Sequence, residues 1–123
     1  MADVILHRPA FPGGKMLRSQ RKGLAFTATT TTNSYTLQCN GQTNMALVEM
    51  PNFTNAITAT LTVSDENSVT IMNKASIARN ANTMLDATDD FDKAMAGTYT
   101  VLITLSGAAG GTGGTVYTTF YLI

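Results

Sequence analysis

The sequence predicts an all-β fold: a β-sandwich or jelly roll with an extended N-terminal arm. Three observations carry this. Charged residues make up only 13% of the chain, against about 25% in typical soluble domains. Polarity comes instead from threonine, asparagine and serine, and threonine's branched Cβ favours extended backbone. From Leu24 onward apolar residues recur with period two, in short runs separated by turn residues at roughly ten-residue spacing.

The chain divides at Gly23 into an arm, residues 1–23, and a β-domain, residues 24–123. Pro9, Pro12 and the pair Gly13-Gly14 break any regular element in the arm. Residues 1–25 carry five cations against one carboxylate, a net +4, and residues 26–123 carry three cations against seven carboxylates, a net −4. A basic arm is therefore attracted to an acidic body, its own or a neighbour's. The arm also holds apolar groups that a merely solvated tail would lack. Its expected partner-binding residues are Val4, Ile5, Leu6, Arg8, Phe11, Lys15, Met16, Leu17, Arg18, Arg21 and Lys22.

In the domain, Leu24, Phe26 and Ala28 begin the alternation. Tyr35, Leu37 and Cys39 repeat it and stop at Asn40-Gly41, a turn dipeptide. Met45 to Met50 is a separate apolar run closed by Pro51. Ile57, Ala59, Leu61 and Val63 alternate with Thr58, Thr60, Thr62 and Ser64, and Asp65-Glu66-Asn67 turns the chain into Val69 and Ile71, so residues 57–72 read as a hairpin. Asp89 to Ala96 is expected to form a turn or two of helix capped by Asp89 or Asp90. Tyr99, Val101, Ile103 and Leu105 form a strand. A flexible glycine-rich loop, 107–114, joins it in a long hairpin to a last strand, Val116 to Ile123. Residues 98–123 contain no charged side chain, so the edges of this hairpin are expected to invite pairing with another chain.

The residues that carry chemistry are few. His7 is the single histidine, which excludes a His-based metal site or a His-oriented triad. Asp86, Asp89, Asp90 and Asp92 form an acidic cluster, but no glycine or glutamate stands where an EF-hand requires one. The cluster reads as a capped acidic turn that docks the basic arm. The glycine-rich loop lacks the Lys-Ser/Thr and the helix of a phosphate cradle. Asn52-Phe53-Thr54 matches a glycosylation acceptor without a secretory context. Cys39, the lone cysteine, lies on the apolar side of its strand and reads as a buried small hydrophobe. A nucleic-acid binder would be basic overall and would interleave aromatics with its cations; this chain is neutral. No enzyme activity, cofactor, metal or nucleic-acid partner is expected. No apolar leader and no apolar stretch of membrane-spanning length is present, so synthesis in a reducing cytoplasm is expected.

A Thr/Asn/Gly-rich β-domain without disulfides, with a basic arm ahead of Leu24 and a terminal strand ending on Ile123, resembles small virion proteins of tailed bacteriophages. It is most similar to capsid decoration, or cement, proteins. That resemblance implies a non-enzymatic structural protein of the virion, made in the host cytoplasm. It implies a dimer or trimer of itself that clamps subunits of the major capsid protein or another virion protein. A tail, fibre or head–tail connector component is the alternative of similar construction. A carbohydrate-binding or adhesive β-sandwich is the alternative of a different class.

Overall fold

A computed structural model describes residues 4–7, 17–18 and 21–122. Among these residues the fold is all-β. The strands are β1 (Val4–His7), β2 (Leu17–Arg18), β3 (Lys22–Phe26), β4 (Thr32–Met50), β5 (Thr58–Ser64), β6 (Thr70–Ala78), β7 (Ala81–Leu85), β8 (Ala94–Leu105) and β9 (Gly114–Leu122), with one short 3₁₀ turn at Ala87–Asp89.

The spine is β4, and it is one strand where the sequence reads as two. Asn40-Gly41 does not turn the chain. A two-residue type I′ turn needs positive φ at both residues, and only Gly41 has it, at 148°. Asn40 stays extended and pairs with Ala96. The apparent break is a change of parity. Tyr35, Leu37, Cys39 and Thr43 are buried at odd positions, then Ala46, Val48 and Met50 at even ones. The register against β9 slips between Thr43 and Met45, so Asn44 is the extra residue of a β-bulge. A bulge turns the following side chains to the other face and bends the strand. After it, β4 buries the same kind of residue in a second sheet.

The two halves of β4 thus belong to two sheets. Its first half pairs with β8 along one edge and, in parallel, with β1 along the other. Its second half pairs with β7 and β9 on opposite edges. The first sheet runs β1-β4-β8-β5-β6; the second runs β7-β4-β9, with β2 and β3 in succession along the far edge of β9. Both sheets close over one core that includes Leu24, Phe26, Leu37, Val48, Leu61, Val101, Ile103, Phe120 and Leu122. A strand that switches sheets through a bend is one way a sandwich turns its corners. Tyr35 of the first sheet and Thr118 of the second share a buried hydrogen bond of 2.7 Å between their hydroxyls. Cys39 is buried as expected, and burial pushes its thiol pKa up to about 11.

The β5–β6 hairpin forms, but β6 (Thr70–Ala78) runs past the expected end at residue 72 and buries Met72 and Ile77, while Val69 is exposed and Ile71 only partly buried. Asp65 Oδ1 accepts from the backbone N–H groups of Asn67 and Val69, both at 2.9 Å, which closes the turn. Four expectations are corrected. β8 and β9 are not a hairpin, because β4 lies between them and each pairs with a different half of it. Neither is an outermost strand, since β8 has β4 on one side and, over Thr100–Leu105, β5 on the other, and β9 lies between β4 and the β2–β3 segment. The glycine-rich loop between them is tied down: Asn55 donates from its backbone to Ala109 and from Nδ2 to Ala108, and Gly110 N–H donates to Ala28, each at 2.9 Å. Finally, Asp89 to Ala96 is not a helix. The only helical turn in that region is Ala87–Asp89, capped by Asp86, and Ala94 already starts β8.

Candidate interaction surface

The end of the arm meets the body at a cluster on the outer face of the second sheet, beside the pairing of β3 with β9. Strand registers set Glu49 of β4 opposite Tyr117 of β9, and Tyr117 opposite Gly23 of β3. Arg21, just before β3, reaches back over this row. Its Nε donates to Glu49 Oε2 at 2.8 Å and its Nη2 donates to Oε1 at 3.0 Å, the two-pronged geometry that suits a guanidinium and a carboxylate. Its Cζ lies 3.5 Å from the Tyr117 ring centroid, a cation–π contact. Gly23 makes room, since a Cβ there would stand 2.8 Å from Tyr117 Cε1.

The hydrogen bonds from Arg21 hold the Glu49 carboxyl below its ordinary pKa, and the same bonds raise the pKa of the guanidinium. Met50, Pro51, Asn82 and Thr115 complete the lining of a shallow hollow beside the pair. Nothing in the sequence pattern joined Glu49 or Tyr117 to the arm. One signal was present: Glu49 is the single charged residue between Lys22 and Asp65. An isolated charge on a half-buried strand calls for a partner.

The other expected arm residues fall as follows. Val4, Ile5 and Leu6 lie in β1, opposite Leu37, Gln38 and Cys39 of β4. Leu17 and Arg18 lie in β2, opposite Leu122 and Tyr121 of β9. Lys22 opens β3 opposite Thr118, so the division drawn at Gly23 falls inside a strand. Arg8, Phe11, Lys15 and Met16 lie outside the described residues.

Within the described residues the acidic cluster caps a turn, as expected, and pairs with lysines of the body. Asp86 accepts from the backbone N–H of Thr88 at 3.0 Å and so caps the 3₁₀ turn. Asp89 pairs with Lys74 and Asp90 with Lys93, each at 2.8 Å. The hydrogen bond from Lys74, then that from the Asp86 backbone, lowers the Asp89 pKa. The cations that meet this cluster among the described residues are the body's own lysines, and the arm's Arg21 goes to Glu49 instead. No group of three or more His, Cys, Asp or Glu able to hold a metal ion occurs among the described residues. Among the described residues no helix is long and apolar enough to cross a membrane.

No family model matches the chain, and no curated protein matches it. Among solved structures, two of infectious bursal disease virus show a weak likeness. The Gx strain structure is 9% identical with a TM-score of 0.29, over 93% of this chain and 35% of that one. The Gt strain structure is 10% identical with a TM-score of 0.27, over 89% of this chain and 27% of that one. The chain thus spans about a third of the length of the viral chains it resembles. Both neighbours are viral, and neither is from a tailed bacteriophage. TM-scores of this size do not mark a common fold.

Proposed function

We propose that this chain is a non-enzymatic structural protein of a virion, a capsid decoration protein that clamps neighbouring shell subunits and acts as a homo-oligomer. The observation that supports it best is the way the arm is held. Val4–His7 sits on a sheet edge as an added strand, while Arg21 fixes the arm's far end to Glu49. Strand addition uses main-chain hydrogen bonds, which any extended neighbouring segment or edge can supply. A tether with one firm anchor and one strand-like end gains affinity by spanning two partners, because its second contact is effectively intramolecular. The outer positions of β5, Thr58, Thr60 and Thr62, are hydroxyl-bearing and uncharged. Such a face makes hydrogen bonds to a partner without the cost of desolvating ions.

The test is co-sedimentation with assembled particles. Deleting residues 1–16 keeps β2, β3 and the Arg21–Glu49 pair, so the body should remain folded by circular dichroism. Binding to particles should be lost. Full-strength binding by the truncated chain would refute the proposal. Locating the protein by cryo-electron microscopy separates a shell position from a tail, fibre or connector position.

A further inference from the structure

β7 is the outermost strand of the second sheet. β4 pairs with one of its edges, and no described strand pairs with the other. The direction of its main chain follows from one bond: Asn80 N–H donates to the carbonyl oxygen of Pro51, one step beyond the pair of Ala81 with Met50. Alternation then points the main-chain groups of Asn82 and Met84 at β4 and those of Ala81, Thr83 and Leu85 outward. The N–H and C=O of Thr83 accordingly have no partner among the described residues. Natural edges are blunted by charges, prolines or bulges. Ala81–Leu85 holds no charge and no proline, and its register with β4 is unbroken. Met84, opposite Leu47, is 44% exposed, one of two large apolar side chains so exposed among the described residues.

From this edge we infer that two copies pair through β7, antiparallel, about a two-fold axis at Thr83. The edge is complementary to itself. Thr83 meets Thr83, Ala81 meets Leu85, and the outward groups of each pair exchange both N–H···O bonds. The same register puts each exposed Met84 opposite Asn82 of the other copy. Continued one residue beyond the strands, it puts Asp86 opposite Asn80, and so beside Arg79, of the other copy. Arg79 donates to the carbonyl oxygens of Phe53, Thr54 and Asn55. It meets no carboxylate among the described residues, and Asp86 meets no cation. Each end of the seam therefore brings together charges of opposite sign that their own chain leaves unpaired, and complementary charges fix partner and register. An uncharged seam with this arrangement at both ends favours a second copy over a foreign strand, which would have to supply both charges itself. The inference rests on reading the chain as a homo-oligomer, and it names the strand that joins the copies.

Sedimentation velocity on the full chain, without particles, should show a dimer that dissociates on dilution. Thr83→Pro removes the outward N–H and leaves the bonds to β4 in place. Met84→Lys sets a cation on either side of the seam. Each should run as a monomer with an unchanged circular dichroism spectrum; if the proline variant does not fold, the lysine variant decides. In a Cys39→Ala background, a mixture of Asn82→Cys and Met84→Cys chains should oxidise to a heterodimer linked between these positions, since they form a close, non-hydrogen-bonded pair across the seam. Asn82→Cys mixed with Val69→Cys should not, although Val69 is the more exposed, at 55%. A chain that stays monomeric at every concentration overturns the inference, and so does a dimer that survives both substitutions or cross-links equally at position 69. Monomers that lose particle binding on Thr83→Pro also overturn it, by giving the edge to a strand of the shell. The decoration reading fails separately: a β7 dimer whose 1–16 deletion still binds particles sustains the pairing and sinks that reading.

Discussion

The two outer edges of the first sheet are protected by opposite means. On one side β6 protects itself. Its pairing with β5 slips twice, between Ala59 and Leu61 and between Val63 and Ser64, and Ser76 takes a left-handed φ of 60°. Lys74 adds a charge in the middle of the strand. Bulges, kinks and charges all frustrate an added strand. On the other side the edge of β4 is regular and uncharged and is covered by an added strand. The difference shows that one edge is finished by its own sequence, while the other depends on a segment tethered through a long connection. An edge of the second kind is the one that a protein can share.

The largest effects should test whether the two edges serve one core. Leu37 stands behind the covered edge and Leu61 behind the bulged one, and both are fully buried. Leu37→Ala and Leu61→Ala should each destabilise by about 2–5 kcal/mol in urea denaturation. A loss far smaller at Leu37 would mean that the β1 side is packed more loosely than the β6 side.

Removal of residues 1–7 should leave the fold intact and uncover the β4 edge. Concentration-dependent association should then rise in light scattering, and amide exchange should accelerate within Leu37–Asn40 and not in β6. If β6 amides were affected equally, the two edges would be coupled in a way the topology does not suggest. Tyr35→Phe probes the contact between the sheets. It leaves the buried Thr118 hydroxyl without its partner and should cost about 1–2 kcal/mol.

The smallest effect concerns the arm's anchor. Glu49 has a lowered pKa in the fold, so its contribution to stability is present above its ordinary value of about 4.5 and is lost as pH falls through the lowered one. Asp89 has the same sign. Glu49→Gln should therefore lower the urea midpoint slightly at neutral pH, and the gap to the native chain should close in acid. High salt should narrow it as well, because Arg21 is half exposed.

Much of the fold could be read from local pattern, and the failures have a common cause. β5 was plain because its own alternation is unbroken and Asp65 closes the turn after it. β4 was not, because one inserted residue, Asn44, shifts the period and makes a continuous strand look like two. β8 and β9 looked like a hairpin because strands close in sequence are commonly neighbours in space. Here a strand from the first half of the chain separates them, and no local pattern records that. The site was less visible than the fold. Arg21 was identifiable as an arm cation, but its partners are set by registers between β3, β9 and β4, which only the folded sheet defines.

The length of β4 has a consequence for how the protein comes into being. Except for β1, every strand that pairs with it lies downstream: β7, β8 and β9. While the ribosome is still making the middle of the chain, β4 has almost nothing to bond to. Its last pairing, Thr43 with Leu122, waits for residues at the far end of the sequence. Folds dominated by such distant contacts form slowly, in roughly milliseconds to seconds. The β-domain is therefore expected to close only once β9 has been made, and a nascent chain halted at the β6–β7 turn would hold a nineteen-residue strand, paired only by β1 over Leu37–Asn40, open to chaperones, proteases and other nascent copies.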